Sequence, residues 1–320
     1  MNDRMQKFLE MVQEDNIDRK LYAIKKLKEY KDRKVVNALI PLLENESPMV
    51  RYLTAQSLGD IGDVEAGESL LKALVEPEDW VRLGIVEAIG QIRPEKASEM
   101  LIRYMNDEKD NKVKATIIKV LGFLNDEKVI PFIAEYLNSQ DERIKANTIE
   151  ALQNFNNSKI IELLTPFKND RNNRVRANTA LLFVKKGKSE GYDILYEMLE
   201  DRNEWMQASA VYALGEIGGE KEFSTLVSKD MFRDGSWSIR RNVIIALAKM
   251  CASGMKNACE HIENILASDN EQEVVFTVEM IGEHGLKEFL PVITSMLTDA
   301  TGDLREKIDE AIDTLTDIRP

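Results

Sequence analysis

Cysteine is nearly missing from this chain of 320 residues, which has only Cys251 and Cys259. Two are too few for a disulfide framework, and their eight-residue separation matches no zinc-ligand pair, so a reducing cytoplasm is the expected setting. Histidine is equally scarce, at two residues. A metal site built from several His–Glu pairs is therefore excluded. Proline (8), glycine (16) and aromatic residues (7%) are all sparse, which removes the usual vocabulary of strands and tight turns and favours helix. No long apolar run occurs: the opening segment MNDRMQKFLEMVQED is interrupted by charge at nearly every turn, so it reads as neither a secretory core nor a membrane span. Also missing are a glycine-rich phosphate loop, a nucleophile elbow and a Cys–His arrangement. The sequence thus assigns no catalytic residue, cofactor or metal ligand.

What is present is charge and aliphatic bulk, with 43% hydrophobic and 31% charged residues, normal for a folded chain. The net charge of −13 is unevenly spread. Residues 1–188 carry 31 basic and 30 acidic side chains, whereas residues 189–320 carry 12 and 26. An acidic balance of this size opposes general binding to phosphate backbones, because such affinity comes from neutralising many phosphates.

The chain repeats itself. The phrase VRYLTAQSLGDIGD begins at Val50, and VRLGIVEAIGQIRP begins thirty-one residues later at Val81. With Val50 as slot zero, the same slot returns at Arg19, Val81, Val113, Ile144, Val175, Met206, Ile239, Glu273 and Leu304. Slot eight is apolar in all ten copies, from Leu27 and Leu58 to Ile281 and Ile312. Slots 0, 4, 8 and 11 share one stripe of an α-helix. Upstream of each lies a second amphipathic segment, such as KVVNALIPLLEN or KVIPFIAEYLN, so each unit is a helical hairpin. Gly62, Gly187, Gly218 and Gly285 stand where the trailing helices end, a place for left-handed backbone. A lone hairpin cannot cover its apolar stripe, so neighbours must stack. Pro131 and Pro291 fall in the first turn of a leading helix, while Pro41 and Pro166 come one turn later and should kink it.

The pattern VRxxAxxALGxIGD with a preceding amphipathic helix resembles HEAT repeats, particularly the short bacterial and archaeal type also seen in phycobilin lyases. The resemblance implies an all-α fold, an α-solenoid forming a right-handed superhelix of about ten helical hairpins, with the trailing helices on the concave side. One solenoid over residues 1–320 would divide at about 1–31, 32–62, 63–93, 94–125, 126–157, 158–187, 188–218, 219–252, 253–285 and 286–320. Slot zero departs from the pattern at Arg19 and Glu273.

Three sets of residues are candidate binding groups. A cationic row occupies slot one, with Arg51, Arg82, Lys114, Lys145 and Arg176, continued by Arg240 and Arg305. The resemblance implies that this concave row pairs with acids in the preceding turns, including Glu46, Asp79, Asp110, Asp141 and Asp234. A basic run from Lys168 to Lys188 contains Lys168, Arg171, Arg174, Lys185, Lys186 and Lys188. It lacks a free aromatic platform for bases, because Phe183 takes core slot eight, so a solvated face or a dock for an acidic protein is the expectation. Thirdly, Phe232, Arg233, Trp237, Arg240 and Arg241 gather aromatic and arginine side chains where the repeat spacing lengthens to 33 and then 34 residues, the composition of a protein-binding hot spot. Trp80 and Trp205 share the place before slot zero and are expected to cover the turn.

From these residues the expected function is a non-catalytic, cytoplasmic scaffold or adaptor. It would be a monomer when free, with one or more protein partners and neither nucleic acid nor membrane. Two other classes follow from the resemblance: a nucleic-acid-binding protein or DNA glycosylase-like enzyme, which the net charge opposes, and a bilin lyase or chromophore chaperone.

Overall fold

The computed structural model describes residues 2–228 and 235–316. Among these residues the secondary structure is helical, without a strand, and successive helices form the antiparallel hairpins of an α-solenoid. Two compact units are distinguished, Met1–Leu163 and Leu164–Pro320. In the first, the trailing helices are Ile17–Leu27, Pro48–Ile61, Asp79–Ile92, Asn111–Leu124 and Glu142–Leu152. In the second they are Asn173–Lys185, Glu204–Ile217, Trp237–Ala252, Glu271–Glu283 and Gly302–Thr316.

The sequence register maps directly onto burial. Slot eight is fully or nearly fully buried from Leu27 to Ile281, and only Ile312, on the last helix, is half-buried. Slot four is closed throughout and carries threonine in four copies, Thr54, Thr148, Thr179 and Thr277. A buried hydroxyl needs a partner. Thr148, Thr179 and Thr277 donate to the carbonyl one turn back, at 2.8, 2.8 and 2.7 Å, whereas the Thr54 hydroxyl has no partner.

The motif Ala-Leu-Gly has a geometric reason. Its glycine, slot nine, faces the slot-seven alanine of the next trailing helix. A Cβ on Gly122 would lie 2.7 Å from the Cα of Ala151, and one on Gly215 would lie 2.6 Å from the Cβ of Ala246. Gly59 meets Ala88 and Gly282 meets Ala311 in the same way. Consecutive trailing helices therefore touch backbone to methyl.

Helix ends follow local rules. Gly62, Gly187, Gly218 and Gly285 all have positive φ, and the equivalent place is taken by Arg93 (φ 55°) and Asn125 (φ 53°) in their hairpins. The kinks expected at Pro41 and Pro166 take the form of a change of helix type: α-helix gives way to 3₁₀-helix at Ile40–Glu44 and Thr165–Phe167. Pro131 and Pro291 stand at the first turns of Ile130–Ala134 and Leu290–Met296, each following a 3₁₀ turn.

Two substitutions test this packing. Gly122→Val should overpack the helix contact and lower stability by about 1–3 kcal/mol. Thr54→Val, which deletes an unsatisfied buried hydroxyl at nearly constant volume, should raise stability by about 1 kcal/mol. Urea denaturation followed by circular dichroism measures both.

Candidate protein-binding surface

The slot-one arginines of the first unit are fastened on all sides. Arg51 holds Glu76 through two parallel hydrogen bonds, Nε to Oε2 at 2.6 Å and Nη2 to Oε1 at 2.7 Å. Its Nη1 donates to the carbonyls of Asn45 and Glu46. Arg82 repeats the arrangement one hairpin later, with Glu108 at 2.9 and 3.0 Å and the carbonyls of Glu76 and Pro77 at 3.0 and 2.8 Å. The carboxylates are almost fully enclosed, at 4% and 1% exposure. Fork-to-fork geometry of this kind is the strongest form of charged pairing.

The acid in each rung comes from the turn of the following hairpin. This corrects the expected pairing with Glu46, Asp79, Asp110 and Asp141. Asp110 and Asp141 accept from backbone amides at the starts of their own helices, which satisfies donors the helix leaves open. Glu46 gives only its backbone carbonyl to Arg51, and Asp79 accepts from the Trp80 amide. Asp234 lies outside the described residues. Lys114 is half-buried, Lys145 pairs with Glu142 of its own helix at 3.0 Å, and in the second unit Arg176 reaches Glu197 at 2.9 Å. The row ties hairpins together, and Arg51 and Arg82 each commit four of their five N–H donors to the fold.

Electrostatics distinguish two kinds of buried acid. Burial alone would raise Glu108, but the Arg82 guanidinium, the Tyr104 hydroxyl and two backbone amides outweigh it and hold the carboxyl below its ordinary value. Glu76 is lowered in the same way by Arg51 and the Glu78 amide. Glu273 goes the opposite way. It occupies slot zero, where every other copy but the first is apolar, and burial raises its pKa although Arg240 stands 2.9 Å away. The sequence reads Glu273 as a departure from the pattern, and the structure supplies its partner.

The basic run does not form one patch. Arg171 and Arg174 are exposed at the start of Asn173–Lys185, and Lys185, Lys186 and Lys188 stand at its end. The rise of an α-helix puts about 16 Å between Arg174 and Lys185. Lys168 is engaged with Glu190 at 2.5 Å.

Around Trp237 the second unit offers a groove of about 440 Å³, lined by Trp237, Glu271, Val275, Phe276, Glu279 and Asp303 among others. Trp237 packs its edge against Phe276 at 5.7 Å, and the Arg241 guanidinium lies 5.0 Å from the Phe276 ring centre. Arg240 is turned inward, to Glu273 and the Gly235 carbonyl at 2.7 Å. Phe232 and Arg233 lie outside the described residues. Phe276 and the acidic wall went unnoticed in the sequence, where Phe276 is one more apolar residue in a helix. The two tryptophans before slot zero differ from each other: Trp80 leans on Tyr52 at 5.2 Å, beside Gly84, whose missing side chain leaves room for the Tyr52 ring, while Trp205 is 65% exposed. His284 is half-buried, and burial lowers its pKa.

A family model described as HEAT repeats matches residues 5–85 and 67–153. The chain carries HEAT repeats over residues 5–153. Several solved structures are similar to it. The complex of CpcE and CpcF of phycocyanin lyase from Nostoc sp. PCC7120 is 14% identical, covering 97% of this chain and 94% of that one at a TM-score of 0.46. The Escherichia coli protein YibA is 19% identical over 95% of this chain and 99% of its own, also at 0.46. Human deoxyhypusine hydroxylase in complex with glycerol is 16% identical over 78% of this chain and 96% of its own, at 0.37. No curated protein sequence is significantly similar. No described helix of this chain is long and apolar enough to cross a membrane.

The buried rungs predict a defined pH response. Glu108 has a lowered pKa, so the stability it contributes is complete above the ordinary glutamate value of 4.5 and is lost as pH falls below that value through the native one. Glu273, with a raised pKa, favours folding below 4.5 and loses that contribution as pH rises through its native value. Glu108→Gln should cost about 3–5 kcal/mol at neutral pH, because it leaves Arg82 buried without its counter-charge. The variant should also show a shallower loss of stability on acidification, read from melting temperatures between pH 7 and pH 3.

Proposed function

We propose that this HEAT-repeat chain is a non-catalytic protein-binding scaffold, and that the Trp237–Phe276 groove is a principal contact surface. The observation that carries the reading is the contrast between committed and open groups. Arg51 and Arg82 commit four of their five donors to the fold, whereas the groove presents half-buried Trp237 beside exposed Glu271, Gln272 and Asp303. An aromatic floor inside a polar rim is the composition of a binding hot spot. The carboxylates select a partner segment of basic character, and the excess of 26 acidic over 12 basic residues beyond residue 188 attracts it. The cytoplasm and a free monomer complete the proposal. The net charge of −13 weighs against a nucleic-acid reading.

The test compares the wild-type chain with Trp237→Ala in affinity capture from the source cell, followed by mass spectrometry. At least one protein held by the wild type should be lost from the variant while the circular dichroism of the two chains coincides. Identical protein sets from both chains, or retention of duplex DNA alone, would refute the proposal.

A further inference from the structure

The two cysteines lie on different helices but close in space. Trp237–Ala252 ends with Cys251, the chain turns at Gly254 with φ of 94°, and Lys256–Leu266 brings Cys259 back alongside. Their Cα atoms are 5.0 Å apart and a disulfide joins them. The eight-residue spacing that suggests neither a disulfide framework nor a zinc pair therefore does bring two sulfurs together.

A third group arrives from the next hairpin. Glu288 sits in the 3₁₀ turn Lys287–Phe289, anchored by Leu286 and Phe289, both 2% exposed. Its Oε1 lies 3.5 Å from Cys251 Sγ and 4.0 Å from Cys259 Sγ. One ligand atom from each of the three residues fits within a span of 4.8 Å. A disulfide has no proton to donate, so these contacts are not hydrogen bonds and give the carboxylate nothing. Opened to two thiolates, the cluster would place three negative groups together, an arrangement relieved by protons on the sulfurs or by a bound cation that replaces them.

The spacing suits a particular class of cation. Zinc bonds of about 2.3 Å to sulfur and 2.0 Å to oxygen in a tetrahedron give a sulfur-to-oxygen edge of about 3.5 Å, close to the separations Glu288 already has. Cys259 is half-buried and Glu288 is exposed, so one side stays open for water. We infer that Cys251, Cys259 and Glu288 form a binding site for a thiophilic divalent cation such as Zn²⁺, available when the disulfide is reduced.

The chemistry balances. A small-molecule dithiol gives two electrons and two protons to the disulfide, yielding two thiols and becoming a cyclic disulfide itself. The cation then displaces both thiol protons to solvent, bonds to two thiolates and the Glu288 carboxylate, and takes water as its fourth ligand. Disulfide and metal are alternative occupants of the same sulfurs. Because its ligands come from three consecutive hairpins, the metal ties the end of one trailing helix to the two leading segments that follow.

Titration of the full chain with Co²⁺, after reduction and removal of the reductant, tests the site. The reduced wild type should bind one equivalent with a thiolate-to-cobalt charge-transfer absorption that Zn²⁺ abolishes, and the disulfide form should show none. Glu288→Gln removes an exposed ligand while retaining both cysteines. It should keep the fold by circular dichroism and bind at least about tenfold more weakly. The inference fails if the reduced chain shows no charge-transfer band, if the oxidised chain binds equally, or if Glu288→Gln matches the wild type.

Discussion

Close approach between successive trailing helices is the constraint from which the rest of the architecture follows. Glycine at slot nine and alanine at slot seven let Gly122 and Ala151, or Gly215 and Ala246, meet without intervening side chains. Helices held this near to one another align their slot-four and slot-eight residues into a closed interior. At native packing density even one methyl group is felt, so the small residues are as decisive as the large ones. Stacking then brings the turns that carry Glu76 and Glu108 within reach of Arg51 and Arg82.

Much of this could be read in the residues, and the reasons for the exceptions are physical. The apolar stripe is a local property of a helix, so slots 0, 4 and 8 predict burial from Val50 through Ile281. The partners of Arg51 and Arg82 are 25 and 26 residues away in the chain, in the turn of another hairpin. A reading confined to one hairpin finds only the nearer acids, which cap helices. The same distinction explains the run from Lys168 to Lys188: a helix separates in space what the chain writes together. Conversely, a reversal at Gly254 joins Cys251 and Cys259 at an interval that no helical or motif spacing flags.

Buried charge occurs in two forms with different uses. Glu76 and Glu108 are lowered in pKa because several donors converge on them, and they lock turns in place. Glu273 stands where an apolar residue serves in most other hairpins and is raised in pKa because burial outweighs Arg240. It lies on the same helix as Phe276, which puts this electrostatically uncomfortable residue in a hairpin that lines the groove. The groove proposed as a contact surface and a buried carboxyl thus share one part of the second unit.

Glu76 belongs to two rungs at once, since its carboxylate grips Arg51 while its own carbonyl accepts from Arg82. Repeat arrays are usually treated as beads that sense only the bead beside them. Arg82 lies in the same hairpin as Glu76 and goes on to grip Glu108 of the next, so three hairpins are linked in series, and this stretch should melt as a block and resist fraying one hairpin at a time.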